Sequence, residues 1–481
     1  MRALLTLLIF ALVTAAGVLV SPAQAQTQVA APAFELQGTV AGAREVKFPH
    51  VAASGPNVYA AANINREAAS FWAKQDTAAA FGAAESLGIA EGQPDYSTAT
   101  ITTDADGTIY YAWVNQTARA IFLRVKRPGQ DWMPAQTVVA GQPFPVFPEI
   151  AVTSDGQLFV VWRNPDRPFM YRRSADGGAT WGPIQPLSDA AAVNIADLAV
   201  GPRGELAITY MGGEGDRLQI YVATWNGSGF TKTRVTRLNG DYADPSATFT
   251  PDGRLFVSWR GVADAGFASG VFFAERQADG SYPTARLIGG KVQGRVSMES
   301  DAAGNLHVIW NAGGKLWYSV KPANGSWAGP VDAPAGSGTI FNAHAAVSAG
   351  TGGAIFVHAV SEVFVGSQVS LRYFRFRSGL SVGPALSARP VLEQGATSTR
   401  ASALALSFTE VSGTPAEVRY RWGSPPTDAD PWQLFVAQMT VAAPVLASSH
   451  CSAQSLYTQV RAGGVMQTQP LSASIQLDQA V

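Results

Sequence analysis

Seven times along this chain a glycine stands in a short turn between two apolar runs, at Gly55, Gly107, Gly156, Gly204, Gly253, Gly304 and Gly353. The steps between them are 52, 49, 48, 49, 51 and 49 residues. A unit of about fifty residues carrying several short strands cannot bury both faces of its own sheet, so the copies must stack on one another. Radial stacking about an axis is the arrangement such a period predicts. The expected fold is all-β, a seven-bladed β-propeller.

The third repeat shows the unit. Phe147–Val152 reads as a first strand, Thr153–Gly156 as a turn, and Leu158–Trp162 as a second strand. The apolar run of that second strand is continuous, so both of its faces are expected to be covered. Phe169–Arg173 and Ile184–Leu187 supply third and fourth strands. Glycines preceded by Asp, as at Asp106-Gly107, Asp155-Gly156 and Asp252-Gly253, suit a hairpin that needs positive φ. Phe34-Glu35-Leu36, ahead of the first repeat, resembles a fourth strand and is expected to complete the last blade, leaving no open sheet edge.

The ends differ from the repeats. Met1-Arg2, the apolar stretch Ala3–Val20 and the closing Ala23-Gln24-Ala25 have the form of a secretory signal peptide over residues 1–25. No later segment is apolar enough to span a bilayer, so no integral membrane segment is expected after cleavage, and the protein is expected to be secreted or extracytoplasmic. The repeats occupy 34–389. Beyond Arg389-Pro390, residues 390–481 carry Ala403–Phe408, Glu417–Trp422, Trp432–Val436 and Leu456–Arg461 as short strands between Pro, Gly and Ser. A small immunoglobulin-like or fibronectin-like β-sandwich is expected there, as an accessory domain. With 14% charged residues and a formal net charge of −1, nothing points to nucleic acid as a partner. Cys451 is the only cysteine, which excludes an intrachain disulfide.

Between the third and fourth strands of repeat three stands Ser174-Ala175-Asp176-Gly177-Gly178-Ala179-Thr180-Trp181. It matches the Asp-box, Ser-x-Asp-x-Gly-x-Thr-Trp, at Ser174, Asp176, Gly178, Thr180 and Trp181. The carboxylate can accept backbone N–H bonds across the turn while the tryptophan packs inward. Weaker copies follow at Asp131-Trp132, Asn226-Gly227 with Phe230, Asp279-Gly280 with Tyr282, and Asn324-Gly325-Ser326-Trp327. Residues 34–389 thus resemble the sialidase, or BNR-repeat, superfamily of propellers. The resemblance implies a propeller, although sialidases proper have six blades. It would also imply three arginines on the substrate carboxylate, a Tyr–Glu nucleophile pair and an Asp acid/base. Here the place of the family's Arg-Ile-Pro reads Lys47-Phe48-Pro49, and no arginine triad can be assigned. Trp317-Tyr318-Ser319 offers a tyrosine that aligns with Tyr171 and reads as core.

Aligning the repeats on their first strands brings His50, Thr98, Glu149, Asp197, Ser246, Ser297 and His344 to one position, with an apolar neighbour after each. One residue further, small side chains dominate at Ala52, Thr100, Ala151, Ala199, Thr248 and Ala346. The polar set is expected to surround the mouth of a central channel, as a water-filled ring, as donors and acceptors for a polar ligand, or as His, Asp and Glu around a cation. Whether a metal is bound stays open, and no cofactor is implied. Arg163 and Arg260 follow equivalent tryptophans and are expected at the rim, near Asp166, Arg167, Tyr242 and Asp244, with Arg295 preceding the sixth first strand. His307 and His358 fall inside second strands, and His450 in the accessory domain. The function expected is binding of a glycan or another extracellular protein at the channel mouth. The alternatives are an exo-sialidase-like glycoside hydrolase with a divergent active site, and a structural wall component with an empty channel.

Overall fold

A computed structural model describes residues 31–481 apart from 66, 77, 91–97, 165–167, 188–191, 215–216, 238–240, 263–268, 284–285, 288–291, 335–337, 351–353, 382–386, 413–414, 428, 446–451, 463–464, 467–469 and 479–481. The expected signal peptide, Asp166, Arg167, Gly353, His450 and Cys451 lie outside the described residues.

Among the described residues the repeats form seven four-stranded antiparallel sheets. We number them I to VII by their leading strands: His50–Ser54, Ala99–Thr103, Val146–Val152, Ala192–Val200, Asp241–Phe249, Val296–Ser300 and Thr339–Ala349. Each leading strand touches the next, and that of sheet VII returns to that of sheet I. Sheet VII takes three strands from its own repeat and its outermost strand, Ala33–Ala43, from the front of the chain, paired antiparallel with Gln368–Ser381. Glu35 ties this strand down through Arg375 and Arg377, at 3.1 and 2.9 Å.

The continuous apolar runs have a direct cause. In Leu158–Arg163, the second strand of sheet III, Leu158, Val160 and Trp162 pack with Tyr110, Ala112 and Leu123 of sheet II. The alternate residues Phe159 and Val161 pack with Leu206, Ile208 and Tyr210 of sheet IV. Every sheet is sandwiched in this way, and a cluster holding Val58, Trp72, Val360 and Tyr373 joins sheet VII to sheet I. Stability is therefore spread over face-to-face contacts of whole sheets, as in β-propeller arrangements.

The turns are longer than a two-residue hairpin. Thr153 N–H donates to Gln157 O, at 2.9 Å, and Gly156 N–H donates to Thr153 O, at 2.8 Å, with Gly156 at φ 80°. Gly107, Gly204, Gly253 and Gly304 repeat this left-handed conformation at 78–86°, which a residue with Cβ adopts at a cost.

The Asp-box closes its loop from both ends. Asp176 accepts from Thr180 N–H and Thr180 Oγ1–H, at 2.8 and 2.6 Å, and Ser174 Oγ accepts from Gly178 N–H at 2.8 Å. The Thr180 and Ser174 hydrogen bonds pull the Asp176 carboxyl down to about 2. Trp181 packs against the apolar cluster between sheets II and III.

The C-terminal residues form two further sheets. One has Ser387–Leu392, Ala403–Ser412 and Gln438–Ala442. The other has Ser398–Thr399, Leu471–Leu477, Ser452–Ala462, Glu417–Trp422 and Gln433–Leu434 in that order, with Val465–Met466 folded onto Ser452–Ala462. One apolar cluster, including Leu404, Leu406, Val418, Leu456 and Ile475, belongs to both. Ala388 is part of that cluster, so this unit begins with the strand at Ser387 rather than at 390. Pro390 is tolerated because its strand is an edge strand.

Candidate functional site

The leading strands carry the candidate residues to the axis. Four share one register, each opposite the residue just before the closing aromatic of the second strand: Glu149 opposes Val161, Asp197 opposes Thr209, Ser246 opposes Ser258 and Ser297 opposes Ile309, whereas His344 opposes Val360, two residues further along, and His50 opposes Ala61. Neighbouring sheets are then stitched by these side chains. Asp197 Oδ2 accepts from Ala247 N–H at 3.0 Å, Ser246 Oγ from Met298 N–H at 3.0 Å, and Ser297 Oγ from Ala345 N–H at 3.1 Å. His344 Nδ1 accepts from Val51 N–H at 3.4 Å, which places its ring proton on Nε2.

The ring is not an open mouth. His50, Thr98, Glu149, Ser246 and Ser297 are 2–6% exposed, because neighbouring leading strands pack directly on one another. His50, Glu149, Asp197 and His344 line one cavity of about 260 Å³, together with the small residues Ala52, Thr100, Ala151 and Ala346. Thr98, Ser246 and Ser297 are not on its wall. The two serines serve the seams between sheets. Arg163 and Arg260 are also absent from the wall. They occupy equivalent places, opposite Val146 and Ala243. Arg260 is engaged by Asp244 through Nε and Nη2, at 3.0 and 2.9 Å.

Arg295, although not itself on the wall, joins three of the wall residues. Its guanidinium is 4% exposed and lies 3.5 Å from Asp197 Oδ1 and 3.7 Å from Glu149 Oε1. Nη1 reaches to 3.5 Å from His50 Nε2, which itself stands 3.3 Å from Glu149 Oε1. The His50 and His344 rings face each other with centroids 4.4 Å apart. Thr100 Oγ1 donates to Glu149 Oε2 at 3.0 Å, and Glu299 adds another wall carboxyl.

The backbone before the ring is unusual. Phe48, Phe147, Asp244 and Asn342, each two residues ahead of a ring residue, have φ of 45–51°. Ladder irregularities fall at Val146/Glu149, Ala243/Ser246 and Phe341/His344. In sheet VI Gly294 takes the left-handed conformation instead, at 84°, and Arg295 follows it. Left-handed non-glycine residues cost of order 1–3 kcal/mol each and gather where surrounding structure imposes a special geometry. Phe48 and Phe147 meet edge to face, 5.2 Å between centroids.

Burial sets the proton affinities. It raises the Glu149 carboxyl to about 8, with Arg295 opposing and Asp197 assisting. It raises Asp197 and Glu299 as well, against Arg295. Burial also holds His50 and His344 well below the ordinary histidine range, helped for His50 by His344 and Arg295 and for His344 by Arg295. The cavity therefore offers neutral imidazoles and a carboxyl poised near neutrality, with a fixed cation held against its wall carboxyls. Among the described residues no three His, Cys, Asp or Glu side chains are arranged to hold a metal ion.

One residue was passed over in the sequence. Glu299 stands where the other repeats carry Ala52, Thr100, Ala151, Ala199, Thr248 and Ala346, and that lone exception was its signal. Arg295, expected only as a rim residue, lies two residues upstream of the aligned position, directly after the left-handed Gly294, and is buried. His307 and His358 are inside second strands, bonded to Tyr318 and Tyr373 at 2.8 and 2.7 Å. Tyr318 is fully buried in the apolar packing between sheets VI and VII.

No family model and no curated protein matches the chain. Solved structures do. An ulvan lyase, a polysaccharide lyase bound to -[GlcA(1-4)Rha3S]-, is 14% identical over 69% of this chain and 94% of its own, with a TM-score of 0.49. The α-L-arabinanase of Penicillium chrysogenum is 12% identical over 59% and 94%, with a TM-score of 0.43. A mutant lectin of Aleuria aurantia is 14% identical over 57% and 94%, with a TM-score of 0.39. At such distances no chemistry carries across, and the residues of this chain must supply it. Among the described residues no helix is long and apolar enough to cross a membrane. The chain is an all-β protein of β-propeller arrangement, with a polar, charge-compensated cavity on the axis.

Proposed function

We propose that this is an exported, seven-bladed, sialidase-like propeller with a C-terminal β-sandwich, and that it binds a neutral, hydroxyl-rich glycan in the axial cavity. The leader-like Ala3–Val20 stretch supports export, the seven glycine-anchored repeats support the blade count, and the Asp-box supports the family likeness. The observation that carries the binding reading is the pair of wall carboxyls, Glu149 and Asp197, both engaged by the buried Arg295, which is not itself on the wall. Burial raises Glu149 to about 8 and raises Asp197 and Glu299 as well, so the wall carboxyls lean toward their uncharged forms and Arg295 offsets what charge they keep. A neutral ligand meets no net charge and finds donors and acceptors on every side. A sialoside would need cationic partners for its carboxylate, and the arginine here is already committed.

Melting curves of the mature protein with neutral mono- and disaccharides provide the test. A saturable rise in Tm that disappears in Glu149→Gln supports the reading. Silence across a glycan array together with no Tm shift overturns it and favours a structural role.

Catalysis is the second reading, favoured by the raised Glu149 beside Asp197, the arrangement of an acid with a second carboxylate. Fluorogenic glycosides, a sialoside among them, separate the two. Turnover above that of a Glu149→Ala, Asp197→Ala control makes the protein a hydrolase.

A further inference from the structure

Away from the axis, sheets III and IV leave a groove of about 300 Å³ beside the Asp-box, lined by Tyr171, Arg173, Thr180, Gln185, Trp225 and Ser228 among others. Its position follows from the fold. Its lining comes from the third strands Phe169–Ser174 and Arg217–Trp225, the Asp-box loop and the Asn226–Gly229 turn.

Three features of its wall point the same way. The apolar part is aromatic: Tyr171 and Trp225 meet Phe230 with centroids 5.0 and 5.1 Å apart, which fixes both rings. Arg173 lies over the Trp225 ring, 5.4 Å from its centroid, and no described carboxylate pairs with it. Stacking holds a guanidinium flat and leaves its N–H edge available for a bidentate acceptor. The hydrogen-bonding groups left over suit a hydroxylated acid: the Gln185 amide can donate, and the Tyr171, Thr180 and Ser228 oxygens, their protons already given away, can accept. Tyr171 O–H donates to Gln185 Oε1, so Gln185 presents its amide N–H groups. Thr180 O–H is spent on Asp176, and Ser228 O–H on Asn226. Among the described residues the groove wall holds no Asp or Glu.

A wall with aromatic rings, a planar cation that no described carboxylate pairs with, an amide donor and hydroxyl acceptors is complementary to a ring-shaped anion that carries hydroxyls. We infer that this groove is a second binding site, separate from the axial cavity, for an anionic sugar residue of the uronate type. The carboxylate would lie on the Arg173 edge and the pyranose ring against Tyr171 and Trp225.

Saturation-transfer NMR and calorimetry on the mature protein with sodium glucuronate test this, with glucose and acetate as controls. Glucuronate should bind saturably in the millimolar range, and glucose and acetate at least about tenfold more weakly, each lacking one of the two recognised features. Arg173→Gln should weaken glucuronate at least about tenfold, since a charge-assisted pair is lost, while Glu149→Gln leaves it unchanged. Because the Arg173 side chain is partly exposed and off the sheet interior, the variant should melt like the parent. Absence of saturable glucuronate binding overturns the inference. So does binding that survives Arg173→Gln, or binding lost instead in Glu149→Gln, which would place the sugar in the axial cavity.

Discussion

Glu149 and Arg295 make the axial cavity sensitive to pH, and the sign can be worked out. A carboxyl whose folded affinity is raised from 4.5 to about 8 binds more protons folded than unfolded across that window. Stability therefore declines as pH rises through it. His50 and His344 act oppositely: neutral in the fold against 6.5 when free, they weaken the fold as pH falls below that value. Urea titrations should give a stability maximum in the weakly acidic range, and Glu149→Gln should flatten the alkaline limb. Equal slopes above pH 7 in both proteins would contradict this. Arg295→Met strands two carboxyls without their cation and should cost about 3–5 kcal/mol. Adding Glu149→Gln should restore part of that loss in a double-mutant cycle. The ring of Asp197, Ser246, Ser297 and His344 was legible because a polar residue before an apolar one recurs in each leading strand. The burial of Arg295 was not, because it stands two residues off the aligned position and nothing in the sequence says which way the chain turns after Gly294.

Strands and turns were the most legible level, since a continuous apolar run and a glycine at a fixed offset each have one physical cause. What the run could not disclose was its division of labour, with Val160 facing sheet II and Val161 facing sheet IV. Trp162, fully buried, should cost about 3–5 kcal/mol on replacement by alanine, read from the denaturation midpoint. The stitching hydroxyls have a smaller and more specific effect. Ser297→Ala leaves Ala345 N–H without its acceptor in a buried seam and should cost about 1–3 kcal/mol. Ser297→Thr, which keeps the oxygen, should cost less. If both variants melt alike, the hydroxyl contributes nothing at that seam. The Asp-box was legible down to its bonds because its residues are consecutive. The ion pair of Arg260 with Asp244 was not, because a left-handed aspartate was needed to bring the two together.

At the scale of the molecule, the circle of sheets is joined by segments more than three hundred residues apart in the chain. Phe34-Glu35-Leu36 announced that closure, and the alternation of half-buried and exposed residues from Ala33 to Val40, broken at Val40/Ala41 where the pairing shifts, gives its reason. The strand covers the edge of Gln368–Ser381, and Leu36 and Val40 pack toward the seam with sheet I. Removing residues up to 43 strips that cover from Gln368–Ser381 and leaves its backbone edge bare. Such a truncation should melt well below the parent and self-associate on gel filtration, whereas Glu35→Gln, which loses only the Arg375 and Arg377 pairs, should stay monodisperse. Because the last seam needs Ala33–Ala43 to meet Gln368–Ser381, the earliest stretch of the repeats must wait, unzipped, until the ribosome has released the latest one. Final latching is thus a long-range event, slow by its topology, and throughout synthesis the front of the chain is a ready handle for a chaperone.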